Sequence, residues 1–515
     1  MRYVLFYLLP LLLVAKPFKV ATYNVENLFD AIYQGSEYEE YIPGKHNWNA
    51  RMVEIKLNHT AEVICDLGAD ILALQEVENS HIFRQLIEKL NRVGCPYRYS
   101  AITHKRGAPI QVALLSRYVI QKKQDIQVSY SPNVRNILEV EVKVQGKPLT
   151  LFVNHWKSQA YKGYESKRIK YANTLQSRIA TLSPHTEYIV LGDFNADYNA
   201  YLTLEDKLND TQGRTAFSDV LQTKIEETSI LHARRGWHYT LWKELPVDER
   251  WSHKFYGKKS SLDQIVLPQN MFDAKGIDYV NNSFGVFKAS YLFTRRGYIN
   301  AWRYKHAKHM AKGYSDHLPV FAYFDTKPYI AEKINKNSTM QSTKIIDDLY
   351  AIDSVSDEIK LENVVVLLKR GNHAIIKQNK LGRGVFLYGC AARLKEGHRY
   401  DLLIDSMKSY KGLKEITSAY VLKDKGIAMR REYYINQSIL KPKRLRQNEV
   451  VTEIEGVYKN HSLYVNGLKI PIYFKKRKHR PQNNQKLKIH YAHLGYYKHL
   501  QLVVYNTKDY EIMEN

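Results

Sequence analysis

The segment Lys19–Val25 is apolar on both faces, the pattern of a central strand covered from two sides. The period then changes. Val53, Leu57, Ala61, Ile64 and Leu67 recur at spacings of three and four, which predicts an amphipathic helix over residues 51–67. Strand-like runs follow at Ile71–Gln75, Ile110–Ser116, Leu138–Val144 and Leu149–Asn154. A second helix is predicted over Glu165–Leu182, with Ile169, Ala172, Leu175, Ile179 and Leu182 on one stripe. Tyr188–Leu191, Leu262–Leu267 and Leu318–Phe324 complete the strands of an α/β unit.

Residues 328–357 carry mixed polar and charged residues with weak periodicity and read as a linker. Beyond them the chain is strand-rich and carries a faint repeat. Asn372-His373, Val385–Tyr388, Leu402–Ile404 and Tyr410–Leu413 recur as Asn460-His461, Ile470–Tyr473, Leu487–Ile489 and Tyr497–Leu500. Tandem OB-like β-barrels, over residues 358–445 and 446–515, would account for it. Chance likeness between Tyr- and Lys-rich strands would also do so. At the other end, Arg2 precedes the apolar run to Ala15. That run is short for a bilayer span and fits a signal peptide or N-terminal anchor, so export to a periplasmic, extracellular or membrane-attached location is expected.

Polar residues sit at the strand ends in a pattern of their own. Asn24, Glu76, His155 and Asp193 lie at or just past C-terminal ends, whereas Asp263, Asp316 and His317 lie at or just before N-terminal ends. All seven share one rim only if the last strands run antiparallel to the others, which calls for a mixed sheet with helices outside it. A strand-end Asn or Asp is by itself usually a turn former. Six such segments, all bearing metal-ligand or acid/base side chains, point to one site.

Composition changes this picture in two places. The net charge is +25, with an excess of ten basic residues over residues 1–330 and fifteen over 331–515. Such a balance suits a polyanionic partner, nucleic acid or an anionic membrane surface. Only three cysteines occur, Cys65, Cys95 and Cys390. A Cys65–Cys95 bridge is conceivable, but three free thiols are the expectation, and no Cys/His cluster has zinc spacing.

Glu76, Asp193, Asn195, Asp263 and Asp316 offer oxygen ligands of the kind hard divalent cations take. His155 and His317 can exchange protons near neutral pH, with Asp263 the candidate partner of His317. The segments TYNVENLFD (Thr22–Asp30), LQEVEN (Leu74–Asn79), NHWKSQ (Asn154–Gln159), LGDFNADYN (Leu191–Asn199), SLDQIVL (Ser261–Leu267) and YSDHLPVF (Tyr314–Phe321) resemble the DNase-I-like endonuclease/exonuclease/phosphatase family. Together with Thr240–Ser252 they resemble its secreted or membrane-attached bacterial nucleases. The resemblance implies a catalytic domain over residues 16–327, folded as a four-layered α/β sandwich of two mixed β-sheets. It also implies a divalent metal, Mg²⁺ foremost with Mn²⁺ or Ca²⁺ as alternatives. Glu76 and Asp316 would hold that metal, and His155 and His317 would be the acid/base pair, the latter supported by Asp263. Asp193 and Asn195 would position water and phosphate, and Asn24 and Arg135 would contact phosphate. Lys157 and Arg168 are weaker phosphate candidates.

The stretch between Asp263 and Asp316 is a basic insertion with Tyr291, Tyr298 and Trp302 interleaved, either a groove contact or a solvated loop. Tyr388, Tyr410, Tyr473 and Tyr497 could stack bases or pack a small barrel core. The expected activity is hydrolysis of DNA, or RNA, with little sequence preference, by a monomer. The alternatives are a sphingomyelinase or other phosphoesterase on the same scaffold, and a non-catalytic polyanion-binding protein.

Overall fold

Strand β1 (Phe18–Leu28) shares its side chains between two cores by simple alternation. Phe18 and Val20 face a core with Ile71 and Ala73 of β2 (Ile71–Val77), while Ala21 and Tyr23 face the opposite way with Leu72 and Leu74. The inner core also takes Leu138, Val140, Leu149, Leu151, Ile189 and Leu191, so it lies between two sheets. The computed structural model describes residues 17–160, 162–255, 257–326 and 342–513. Two units are distinguished, Met1–Leu245 with Arg250–Lys336, and Pro246–Glu249 with Asn337–Asn515. Among the described residues no helix is long and apolar enough to cross a membrane. The N-terminal segment read as a signal lies outside them.

The first sheet of the larger unit runs Asp278–Tyr279, Val320–Asp325, β1, β2, β4 (Gln111–Ser116), β3 (Tyr99–Ile102). The second runs β5 (Val119–Ile126), β6 (Ile137–Val144), β7 (Lys147–His155), β8 (Tyr188–Asp193), Asp263–Leu267, Tyr239–Thr240. The β1–β2 and β7–β8 pairs are parallel. Val320–Asp325 is antiparallel to β1, and Asp263–Leu267 is antiparallel to β8, which is the direction the shared rim required. Helices α1 (Ala50–Leu67) and α2 (Ser80–Arg92) cover the first sheet, and α3 (Glu165–Ala180) covers the second, giving four layers.

Helix α2 was not anticipated, although Ile82, Phe83, Leu86 and Leu90 carry its spacing. Its N-cap is Asn79, whose Oδ1 accepts from the amides of His81 and Ile82 at 2.7 and 3.1 Å. The last residue of LQEVEN is thus a cap. Cys65 and Cys95 form a disulfide, with Cα atoms 5.7 Å apart, tying α1 to the chain after α2; only Cys390 is free, which corrects the expectation of three thiols.

The basic insertion is likewise anchored. Trp302 is buried, its indole donates to His309 Nδ1 at 3.0 Å, and its backbone amide donates to Glu26 Oε2 at 2.9 Å. It is a core residue and presents no ring to a groove. Trp302→Ala should therefore lower stability by about 3–5 kcal/mol, seen as a lower urea midpoint for the larger unit.

In the second unit, Ile359–Arg370, His373–Lys377, Gly384–Leu387, His398–Tyr410 and Leu413–Ile427 close into a barrel in the order one, two, three, five, four, with the first pairing back to the fourth. Val450–Lys459, Ser462–Val465, Leu468–Phe474, Lys486–Tyr497 and His499–Val504 repeat that order, with the third and fifth strands parallel in both. Two closed five-stranded barrels are consistent with OB-like folds. The faint repeat is therefore topological: its two Asn-His pairs mark the same first turn. Residues 342–357 are not a linker. Ser342–Lys344 pairs with the first barrel strand, and Ile346 and Leu349 are buried in that barrel's core. Residues 327–341 lie outside the described residues. The four tyrosines are not core residues, since the barrel interiors are mainly aliphatic and all four rings are exposed.

Candidate active site

The strands carrying the site are distorted where they reach it. The β1–β2 register runs evenly to Asn24 opposite Gln75 and then slips. Glu26, Asn27 and Glu76 have φ of 52°, 60° and 66°, a left-handed conformation that costs an ordinary residue about 1–3 kcal/mol. The bulge turns Glu76 so that its carboxylate accepts from Asn24 Nδ2 at 3.1 Å and from the Asn27 amide at 2.9 Å. In GDFN, Gly192 has φ of 131°, and a Cβ there would lie 2.0 Å from the Asn154 carbonyl. Only glycine lets β8 approach β7 closely enough to set Asp193 beside His155.

Around this rim the predicted residues meet. Asn24 Nδ2 also donates to Asp193 Oδ2 at 3.1 Å, so one amide spans the Glu76 and Asp193 carboxylates. His155 Nε2 lies 3.7 Å from Glu76 Oε1 and 3.6 Å from Asp193 Oδ2. His317 Nδ1 bonds Asp263 Oδ2 at 2.7 Å, and its Nε2 lies 4.0 Å from both Asp193 Oδ2 and Asp316 Oδ1. The Asn195 amide donates to Asp193 Oδ1 at 2.8 Å, and its Nδ2 to the Trp156 carbonyl at 3.2 Å. Ser315 of YSDH donates to the Asn24 carbonyl at 2.7 Å and locks that segment to β1.

Two transferred roles change. Arg135 donates from Nε and Nη2 to the carbonyls of His155 and Trp156 at 3.0 and 2.5 Å. It clamps the strand end that carries His155, in place of the open phosphate contact the resemblance implied. Arg168 is fully buried against Glu165 and the carbonyls of Lys157 and Gly163, a structural role.

The two imidazoles are tuned in opposite directions. Burial pushes His155 well below the ordinary histidine range, and the Arg135 charge adds to that. Burial would lower His317 as well, but the Asp263, Asp316 and Asp193 carboxylates outweigh it and hold the ring well above its usual value. At neutral pH one ring is free to accept a proton and the other carries one, the division an acid/base pair needs. Asp193 is raised to about 7 by burial, against the pull of His317.

Five site residues escaped the sequence reading. Ser252 donates to Asp263 Oδ2 at 2.5 Å, and the Trp242 indole to the Asp263 carbonyl at 2.8 Å. Both belong to the Thr240–Ser252 segment, so that motif holds the His317 partner in place. His253 Nε2 lies 3.9 Å from Asp316 Oδ2, with its ring 4.9 Å from that of His317. Burial, then the His317 charge, lowers His253 to about 4. Lys56 is buried on α1, donates to the Tyr314 carbonyl at 3.1 Å and is pushed down to about 8 by burial. Its place on the apolar stripe, four residues after Met52, was the available signal. Glu26 is raised well above the carboxylate range by burial and then by Asp316.

Ligand atoms of His253, Asp316 and His317 lie within 4.8 Å of one another, as do those of Asp193, Asp263 and His317. In the second group Asp263 and His317 already bond each other, and it reads as a proton-holding chain. Glu76 is raised by burial and then by Asp316, so these two carboxylates repel across the rim. A hard cation shared by Glu76 and Asp316 would relieve that repulsion, and the donors are of the right type.

A sequence model of the Endonuclease/Exonuclease/phosphatase family matches residues 19–326, more than half of the chain. The chain belongs to that family. Comparison with curated proteins returned no match. Among solved structures, TDP2 from Caenorhabditis elegans is 15% identical, covering 60% of this chain and 74% of that one at a TM-score of 0.38. An AP endonuclease from Archaeoglobus fulgidus is 14% identical, covering 59% and 98% at 0.35. A family protein from Leptotrichia buccalis C-1013-b gives the same identity, coverage and score. Membership makes this endonuclease/exonuclease/phosphatase protein a phosphodiesterase-type hydrolase in its general class, and its fold agrees with that.

Proposed function

We propose that the protein is a divalent-metal-dependent nuclease that hydrolyses phosphodiester bonds of DNA, with little sequence preference. The observation that carries this is the meeting of Glu76, His155, Asp193, Asp263 and His317, from five separate strand ends, within a chain of contacts of 2.7–4.0 Å. Glu76 and Asp316 would hold the cation, Mg²⁺ first. Such an ion, when bound, polarises the scissile phosphate and stabilises the leaving oxygen. Neutral His155 is placed to accept a proton from the attacking water beside Asp193. His317, its proton held by Asp263 and the acids around it, supplies positive charge and a proton on the other side of the phosphate. Asn24 keeps Glu76 and Asp193 together without adding charge.

Nucleic acid is favoured over a lipid or inositol phosphate because of the charge balance and the insertion's basic residues. Export is part of the same reading, supported by the apolar N-terminal run and by the Cys65–Cys95 bridge, which persists in an oxidising compartment. The test is incubation of purified protein with supercoiled DNA, RNA and sphingomyelin side by side in Mg²⁺, Mn²⁺ or Ca²⁺. Nicking of DNA that stops in EDTA is expected. Undiminished cutting in chelator removes the metal assignment, and sphingomyelin turnover above that of DNA removes the nuclease.

A further inference from the structure

The hairpin tips joining the fourth and fifth strands of the two barrels touch each other. One is Tyr410-Lys411-Gly412-Leu413, the other Tyr497-Lys498-His499. Gly412 has φ of 91°, and a Cβ there would come within 2.5 Å of the Tyr496 ring. Lys411 Nζ donates to the Tyr497 hydroxyl.

Around this junction tyrosine and lysine alternate. Lys408 Nζ lies 4.9 Å from the centre of the Tyr388 ring and 5.9 Å from that of Tyr410. Lys411 Nζ lies 5.6 Å from Tyr410 and 4.3 Å from Tyr497. The series Tyr388, Lys408, Tyr410, Lys411, Tyr497 therefore runs across both barrels. Its three rings are 47%, 51% and 43% exposed. Glu415, whose Oε2 is 3.7 Å from Lys408, steadies that ammonium. Lys411 and Lys498 have φ of 51° and 65° at matching places in the two turns. Glycine or asparagine enters that conformation with less strain, so a lysine there is held against local preference.

We propose that this ladder binds single-stranded nucleic acid, with bases stacked on the tyrosines and phosphates on the lysines. Half-exposed ring faces suit an unstacked base, whereas duplex bases already stack on one another. Interleaved ammonium groups suit a backbone whose phosphates alternate with its bases, and residues 331–515 carry an excess of fifteen basic side chains. The substrate class rests on the nuclease reading. The ladder extends it by naming the form of nucleic acid held and the residues that hold it.

Fluorescence anisotropy of the full-length protein with a labelled oligothymidylate of about 15 nucleotides, in EDTA, tests this binding without cleavage. The strand should bind more tightly than a duplex of equal length. Tyr410→Ala with Tyr497→Ala should weaken it at least about tenfold, while Tyr410→Phe should not. Lys408→Gln with Lys411→Gln should reduce the slope of log affinity against log salt by about 1.4, two phosphates at ~0.7 each. Wild-type affinity in the tyrosine variant overturns the proposal, as does equal displacement by heparin from wild type and tyrosine variant. If that variant loses its barrel circular dichroism, an unchanged salt slope in the lysine pair overturns it alone. Ladder-dependent binding without any cutting in Mg²⁺ would sink the nuclease reading and support the platform.

Discussion

His155→Ala and His317→Ala should each slow plasmid nicking by about 10²–10⁴-fold, the range general acid/base groups contribute. The two losses should not multiply in the double variant, because in the proposed mechanism both rings act in the same chemical step beside Asp193. The physical basis is the opposed tuning of the rings: burial keeps His155 unprotonated, while three carboxylates keep His317 charged. Asp263→Asn should slow nicking in the same direction as His317→Ala, since it removes the negative charge that lies 2.7 Å from the ring and holds its proton. Measurement of initial nicking rates with saturating metal settles the point. A rate near wild type for either alanine variant excludes that ring from catalysis.

Glu76→Gln should cost about a thousandfold in rate, several kcal/mol of transition-state stabilisation at ~1.4 kcal/mol per decade. It should also raise the Mg²⁺ concentration needed for half-maximal activity by more than tenfold. Glutamine keeps the volume and one of the two acceptor oxygens that Asn24 and the Asn27 amide use, so the fold is expected to hold, and a urea midpoint near wild type checks it. Asp316→Asn should shift the metal requirement in the same direction and by less, because its side chain is 45% exposed. Titrating Mg²⁺ against nicking for the three proteins checks both. An unchanged metal requirement for Glu76→Gln would place the cation elsewhere, with the His253–Asp316–His317 group the first alternative.

Periodicity along the chain was enough for eight strands of the two main sheets and for α1 and α3, because each of these elements' burial pattern is written in its own residues. It also supplied the antiparallel sense of the late strands, since polar residues on one rim leave one arrangement. Helix α2 carries the same helical spacing in Ile82, Phe83, Leu86 and Leu90. The repeat of the second unit was legible as order and suggested tandem barrels, whereas the strand partners that close each barrel were not, because first-to-fourth strand pairing is a contact about forty residues away.

What only the tertiary structure decided is where polar atoms are spent. Asn79 and Asn24 are both asparagines beyond a strand, yet one caps a helix and the other bridges two carboxylates. Arg135 and Trp302 looked like ligand contacts and are anchors. Tyr388, Tyr410 and Tyr497 read as either core or surface residues until the barrel register placed them outside. The chain by itself determined the elements, the rim and the chemical types gathered on it, because those follow from local alternation. Tertiary packing chose each side chain's partner, from two residues away for Asn79 to 169 for Asn24 and Asp193, and the partner sets whether a polar group is free to meet a substrate.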